Sequence, residues 1–170
     1  MNGIAMPSDL LQAHLQHTAI SSPECSYAQL LPLDPARALD LADAYFTAYP
    51  PGMAAASRAE AREEMASTFT QEYGKVLENA SFMAVRKGKA VGAIMVVAES
   101  IWEEQLSGPF IIDLFTAPAH QGHQLGRSLI AAAMLACKEQ GARTLSLRVG
   151  EGTSPAAHRL YAQAGFLPIP

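Results

Sequence analysis

Cysteine, cationic charge and long hydrophobic runs are all scarce in this chain. Its 170 residues include 2 cysteines, Cys25 and Cys137. Two thiols make no disulfide framework in a domain of this size, and their separation is no Cys-x-x-Cys redox or metal pair, so both read as packed or surface thiols. With 12 Lys and Arg against 16 Asp and Glu, the formal net charge is -4. Nucleic-acid affinity is built largely from Lys and Arg neutralising phosphates, so nucleic acid is not expected as a routine partner. No apolar run approaches the ~18 to 20 residues of a spanning helix, and no membrane partner is expected. Met1 to Ile20 lacks both a basic leading region and an unbroken apolar stretch, which excludes a secretory signal and implies a cytoplasmic protein. What remains is 49% hydrophobic and 16% charged, the balance of a globular chain with one core.

Along the chain, Leu10, Leu11, Leu15 and Ile20 predict a short amphipathic helix from an N-cap at Ser8, in an N-terminal extension over residues 1–24. A domain then runs over 25–170. Tyr27 to Leu33 alternates weakly, and Asp34-Pro35 starts a helix that Pro50-Pro51-Gly52 ends. A second helix is expected from Ser57 to Leu77, with Glu60, Arg62, Glu63 and Glu64 on a solvated face. Ser81 to Arg86 and Ala90 to Ala98 read as strands joined at Lys87-Gly88. The loop from Glu99 to Gly108 carries Trp102, Glu103 and Glu104. Phe110 to Thr116 is a strand, Gly126 to Gln140 a helix, Thr144 to Val149 a strand and Ser154 to Ala164 a helix.

The stretch Leu114 to Ile130 organises the rest. It is the end of a strand, a loop around Gly122, and the start of a helix near Gly126. The first N–H groups of a helix lack partners within it, and its dipole puts partial positive charge there. Gly122 and Gly126 allow close approach of a ligand, and Arg127 adds a full charge, so the spacing suits phosphate or another anion. A strand-to-helix turn with glycine for geometry has the same spacing. The Walker pattern and the dinucleotide fingerprint are both absent.

The same residues resemble motif A of the GNAT superfamily of N-acetyltransferases, Gln/Arg-x-x-Gly-x-Gly/Ala after a strand and a Pro turn. Gln121 takes the first position, Gln124 stands where the family usually has glycine, and Gly126 takes the second glycine position. Downstream, Ser154, Ala157, Leu160, Tyr161, Gly165 and Phe166 are similar to motif B, with Ser154 in place of asparagine. The resemblance implies an α/β (α+β) fold with a mixed, mostly antiparallel sheet flanked by helices. It also implies a hairpin after the Gly-Phe pair. Only a stub fits in Phe166 to Pro170, so either a partner strand comes from elsewhere or this is a truncated member without its last strand, and an unpaired edge there would invite pairing with another copy, as in a homodimer.

The resemblance further implies acyl transfer from acetyl-CoA, as co-substrate, to a primary amine of a small molecule, protein or peptide, in a ternary complex and with no metal. It lays the pantetheine arm along Leu114, Phe115 and Thr116. The pyrophosphate falls on the amides of Gly122, His123, Gln124, Leu125, Gly126 and Arg127, with Gln121 and Ser154 as further contacts. Tyr161 becomes the candidate acid, against a tyrosine merely packed on the sheet. Asp113, a carboxylate in an otherwise apolar strand, is the candidate base or amine anchor, against a structural salt bridge. Glu99, Glu103, Glu104 and ordered water are its rivals. The loop acids, with Trp102, suit a cationic amine. His120/His123 and His14/His17 have helical metal spacing but no third ligand in a recognisable pattern. His158 reads as an exposed helix residue. A module of this fold that binds coenzyme A or acyl-CoA without turnover, as a sensor or assembly domain, is the alternative, and a plain interaction domain is a third.

Overall fold

The structure, a computed structural model, describes residues 9–150 and 152–170. In chain order its elements are β1 (Leu10–His14), β2 (Gln29–Pro32), α1 (Ala38–Ala48), α2 (Arg58–Phe69), β3 (Phe82–Arg86), β4 (Lys89–Val97) and β5 (Phe110–Thr116). Then follow α3 (Leu125–Glu139), β6 (Thr144–Arg148), α4 (Pro155–Ala164) and β7 (Leu167–Pro168). The strands form one sheet in the order β2-β3-β4-β5-β6-β1-β7. Every neighbouring pair is antiparallel except β5 and β6.

The apolar run of β4 is buried from Ala90 to Val97 and lies third in this sheet, beside the central β5. One core joins it to α3 and α4 through Ile94, Val96, Leu129, Met134, Leu145, Tyr161 and Phe166. The other joins it to α1 and α2 through Met95, Ala93, Leu41, Tyr45, Met65 and Phe115. Helices therefore cover both faces, and alternation along β4 and β5 divides the two cores. Among the described residues, no helix is long and apolar enough to cross a membrane.

Two expectations are corrected. The helix expected through Leu10 to Ile20 is instead β1, and its cap at Ser8 lies outside the described residues. Leu11, Ala13 and Leu15 are buried in one core while Leu10 joins another cluster, so the period is two. The leucines alone also fit a helix; the small Ala13 carries the strand signal. Tertiary pairing decides, because β6 and β7 both need a partner, and β1 pairs with each. The missing last strand is thus supplied from the chain's own beginning, and the edge of β6 is covered.

The second correction is the helix expected to Leu77, which stops at Phe69. Gln71 and Gly74 take positive φ values of 67° and 112°, turning the chain back so that Leu77 N–H reaches Val96 C=O at 2.8 Å. At the other end, the helix begins as its sequence directs: Ser57 Oγ accepts from Glu60 N–H at 3.1 Å, and the Glu60 carboxylate accepts from Ala56 N–H.

Candidate active site

β5 and β6 pair at Phe110↔Ser146 and Ile111↔Leu147 and then part company. The register against β4 also slips, from Met95↔Asp113 to Val96↔Ile111, leaving Ile112 as a bulge. Beyond the bulge, β5 runs along an opening with β4 on one side and no strand on the other. Its main chain is available there: Leu114 C=O accepts from the Tyr49 hydroxyl at 3.4 Å, and Thr116 C=O accepts from Gln121 Nε2 at 3.1 Å. Phe115 is buried among the residues beneath α1. Main-chain groups of Leu114 and Thr116, rather than their side chains, are what this edge offers a ligand.

Asp113 stands on the same side as Phe115, under α1. Its carboxyl is pushed up to about 7, first by burial and then by the charge of Glu64, while a hydrogen bond from Tyr49 opposes the rise. Burial, with Asp113 next in weight, raises the Tyr49 phenol well above its ordinary value. Tyr161, from α4, is buried, touches Phe166 edge-on with ring centres 6.1 Å apart, and is pushed up to about 12 by burial and by Asp113. Tyr45 lies edge-on to both Tyr49 and Phe115 at 5.6 Å. These side chains come from α1 and its C-cap, β5 and α4, and the charge of Asp113 acts on each of the three tyrosines. A carboxyl that titrates near neutrality and a phenol that stays protonated have the acid–base properties that proton transfer needs.

Of the rival carboxylates, Glu103 is already engaged. It is buried, its Oε1 accepts from Arg148 Nε at 2.6 Å, and Arg148 holds its pKa below the ordinary range. This pair ties the loop of Trp102 to β6. Glu99 and Glu104 are exposed. The acid whose charge acts on Asp113 is Glu64, expected on the solvated face of α2. It is half-buried and accepts from the Tyr73 hydroxyl at 2.7 Å.

The loop before α3 is built for φ > 0. Gly122 has φ 84° with nothing within 4 Å of where a Cβ would stand. Gln124, at the glycine position of the motif, has φ 62° and so keeps the left-handed turn without glycine. The first intrahelical bond runs from Ser128 N–H to Gln124 C=O at 3.0 Å, so the amides ahead of it face the loop. Arg127 donates to Gln124 Oε1 at 2.7 Å, which holds its guanidinium at the helix end. Gly126 has another reason to be glycine: a Cβ there would meet Leu160 Cδ2 at 2.9 Å, so it lets α3 approach α4. Ser154 is spent on local structure, since its Oγ accepts from Ala157 N–H at 3.1 Å and caps α4.

Both loop histidines are engaged by Tyr27. Its ring stacks on His123 at 3.7 Å with the planes 1° apart, its hydroxyl bonds His120 Nδ1 at 2.8 Å, and Arg86 covers the ring at 3.7 Å. Among the described residues no three His, Cys, Asp or Glu side chains are grouped to hold a metal ion. Sequence reasoning missed Tyr27, Tyr45, Tyr49 and Glu64. A partial signal existed for Tyr45 and Tyr49, which are four apart at the end of a helix and so share a face.

The sequence pattern of the Acetyltransferase (GNAT) family matches residues 38–166. Streptothricin acetyltransferase of Streptomyces lavendulae is 32% identical over 93 residues, which are 55% of this chain and 47% of that protein. The match thus spans about half the length of that relative. Among solved structures, a GCN5-related N-acetyltransferase from Sphaerobacter thermophilus superposes with TM-score 0.68 at 16% identity, over 96% of this chain and 50% of that one. The aminoglycoside 6'-N-acetyltransferase of Acinetobacter haemolyticus superposes with TM-score 0.59 at 17% identity, over 82% and 90%.

Proposed function

The chain belongs to the GNAT family of acetyltransferases, and on that premise we propose that it moves an acetyl group from acetyl-CoA to a primary amine by direct attack. The observation that carries this reading is the opening between β5 and β6, bordered by the raised carboxyl of Asp113 and by Tyr161. The pantetheine arm lies against the main chain of Leu114 to Thr116, replacing the Tyr49 bond at Leu114 C=O. The pyrophosphate lies on the amides from Gly122 to Arg127, and Arg127 supplies the charge. Gln121 sets the strand end through Thr116, and Ser154 acts indirectly, by capping the helix that carries Tyr161.

Asp113 takes a proton from the bound ammonium, which frees the nitrogen lone pair. The nitrogen then bonds to the thioester carbon and the C–S bond breaks. Tyr161 gives its proton to the leaving sulfur, and the proton still on the acylated nitrogen restores the phenol by way of water. Burial favours the neutral phenol, so it enters each cycle protonated.

Calorimetric titration with acetyl-CoA, paired with thiol release over a panel of amines, tests the reading. Acetyl-CoA binding with amine-dependent thiol release is expected. Tyr161→Phe should lower kcat about 10- to 1000-fold and leave acetyl-CoA affinity within about twofold. Unaltered turnover would remove Tyr161 from the acid role. Binding without thiol release for any amine would instead make the protein a sensor or assembly module that binds coenzyme A or acyl-CoA.

A further inference from the structure

The amides of residues 122–127 donate to no acceptor among the described residues. Residues 121–124 are exposed and belong to neither helix nor strand, and Gly122 and Gln124 both take positive φ. Backbone hydrogen bonds therefore do not fix where those amides point. An anion that rests on several amides at once needs them to converge, and any freedom left in the loop lowers its affinity.

Tyr27 restrains that loop from outside it. The His123 ring lies 3.7 Å from the Tyr27 ring and parallel to it, and the Arg86 guanidinium lies 3.7 Å from the ring centre. Two groups that close cannot share one face, so the tyrosine is clasped between them. Its hydroxyl bonds His120 Nδ1 at 2.8 Å, and one side chain thus grips the loop on both sides of Gly122. Tyr27 is itself held. Arg86, the last residue of β3, also donates to Tyr27 C=O. Ala28 packs with Ala84, Val91 and Leu125, the first residue of α3, and Glu24 C=O accepts from Ser128 Oγ at 3.3 Å. The stretch 24–28 therefore straps the start of α3 to the sheet, and it lies outside the residues 38–166 that the family pattern matches.

We propose that Tyr27 is a positioning residue for the cofactor: by holding His120 and His123 it aims the amides from Gly122 to Arg127 at the pyrophosphate of acetyl-CoA. Arg86 acts through the ring of Tyr27, and neither residue is assigned a contact with the reacting atoms. This rests on the acetyl-CoA part of the functional reading and not on its chemistry.

The test is calorimetric titration of the full chain and its variants with acetyl-CoA, joined to kinetics with the best amine of the panel. Tyr27→Leu should raise Kd and KM for acetyl-CoA about tenfold, while kcat and KM for the amine stay within about twofold. A merely structural loss would instead lower the folded fraction and with it kcat. Arg86→Lys keeps the charge but loses the planar group over the ring, and should raise Kd about threefold. Tyr27→Phe keeps the stack and loses the hydroxyl, and should also raise Kd about threefold. Should Tyr27→Leu give no cooperative thermal unfolding, Tyr27→Phe decides alone. Acetyl-CoA affinity unchanged in the folded tyrosine variants, or a fall in kcat with Kd unchanged, would overturn the proposal. Acetyl-CoA binding without thiol release for any amine would sink the acyl-transfer chemistry, and the comparison of Kd values would still decide the role of Tyr27. No acetyl-CoA binding by the unmodified protein would overturn both.

Discussion

Asp113 is charged at a cost, and pH measures it. In an unfolded chain an aspartate titrates near ~3.9, whereas the folded protein holds this one at about 7. The folded state therefore binds the proton more tightly, and stability falls as pH rises from about 4 to about 7, then levels. Asp113→Asn should raise unfolding stability at pH 8 by on the order of a few kcal/mol and by almost nothing at pH 4, read by urea denaturation at both values. A gain that persists unchanged at pH 4 would mean that ionisation is not its source. In wild-type kinetics the same group should give a kcat/KM that climbs through about pH 7, and the Asn variant should lose that limb. Gln124 is a second local strain, because a left-handed residue with a Cβ costs about 1 to 2 kcal/mol, partly offset by the backbone freedom that glycine must give up. Gln124→Gly should hold stability or raise it by up to about 1 kcal/mol in thermal melts, and a drop beyond that would show that the Arg127 bond outweighs the strain. Asp113 could be singled out from sequence because a carboxylate in an apolar strand needs a reason. Glu64 could not, since its neighbours Glu60, Arg62 and Glu63 make it look solvated, and only Tyr73 and the return of the chain after Phe69 enclose it.

Elements that carry their own punctuation were legible. β5 is bounded by Gly108-Pro109 and Pro118, α4 by Ser154 and Gly165, and each lies within a residue of where its signals put it. β1 was not, because two leucines followed by a polar residue and an alanine satisfy either period, and its partners lie more than a hundred residues away. The bulge at Ile112 and the parting of β5 from β6 were equally hidden, since both come from register between strands. Register also assigns Gly92 its role. A Cβ there would stand 2.7 Å from Phe115 C=O and 3.3 Å from Thr116 Cα, both backbone atoms that cannot swing aside. Gly92→Ala should cost about 1 to 3 kcal/mol and, by pushing on the strand that offers Leu114 and Thr116, weaken acetyl-CoA binding. Gly126→Ala meets only the flexible end of Leu160 and should cost less than about 1 kcal/mol. Thermal unfolding of the two variants side by side checks the order, and a reversed order would count against this account of the strand contact.

At the scale of the whole molecule, the first strand completes the sheet that the last residues leave unfinished. β1 lies between β6 and β7, and Gln12 Nε2 donates to Ser146 Oγ at 3.0 Å within that seam. Proline cannot donate to a ladder on either side, so Gln12→Pro should lower Tm by several degrees and bare the edge of β6. Sedimentation should then show more association than the wild-type chain shows at equal concentration. A monomer with unchanged Tm would mean that β1 contributes little to the sheet.

That seam also sets a timetable for synthesis. Residues 10–14 are made more than a hundred residues ahead of their hydrogen-bonding neighbours at 144–148 and 167–168. That strand therefore waits, unpaired and rich in leucine, while the residues between it and its partners are made. Closure of that seam is then a late event, because pairing over so long a separation is intrinsically slow.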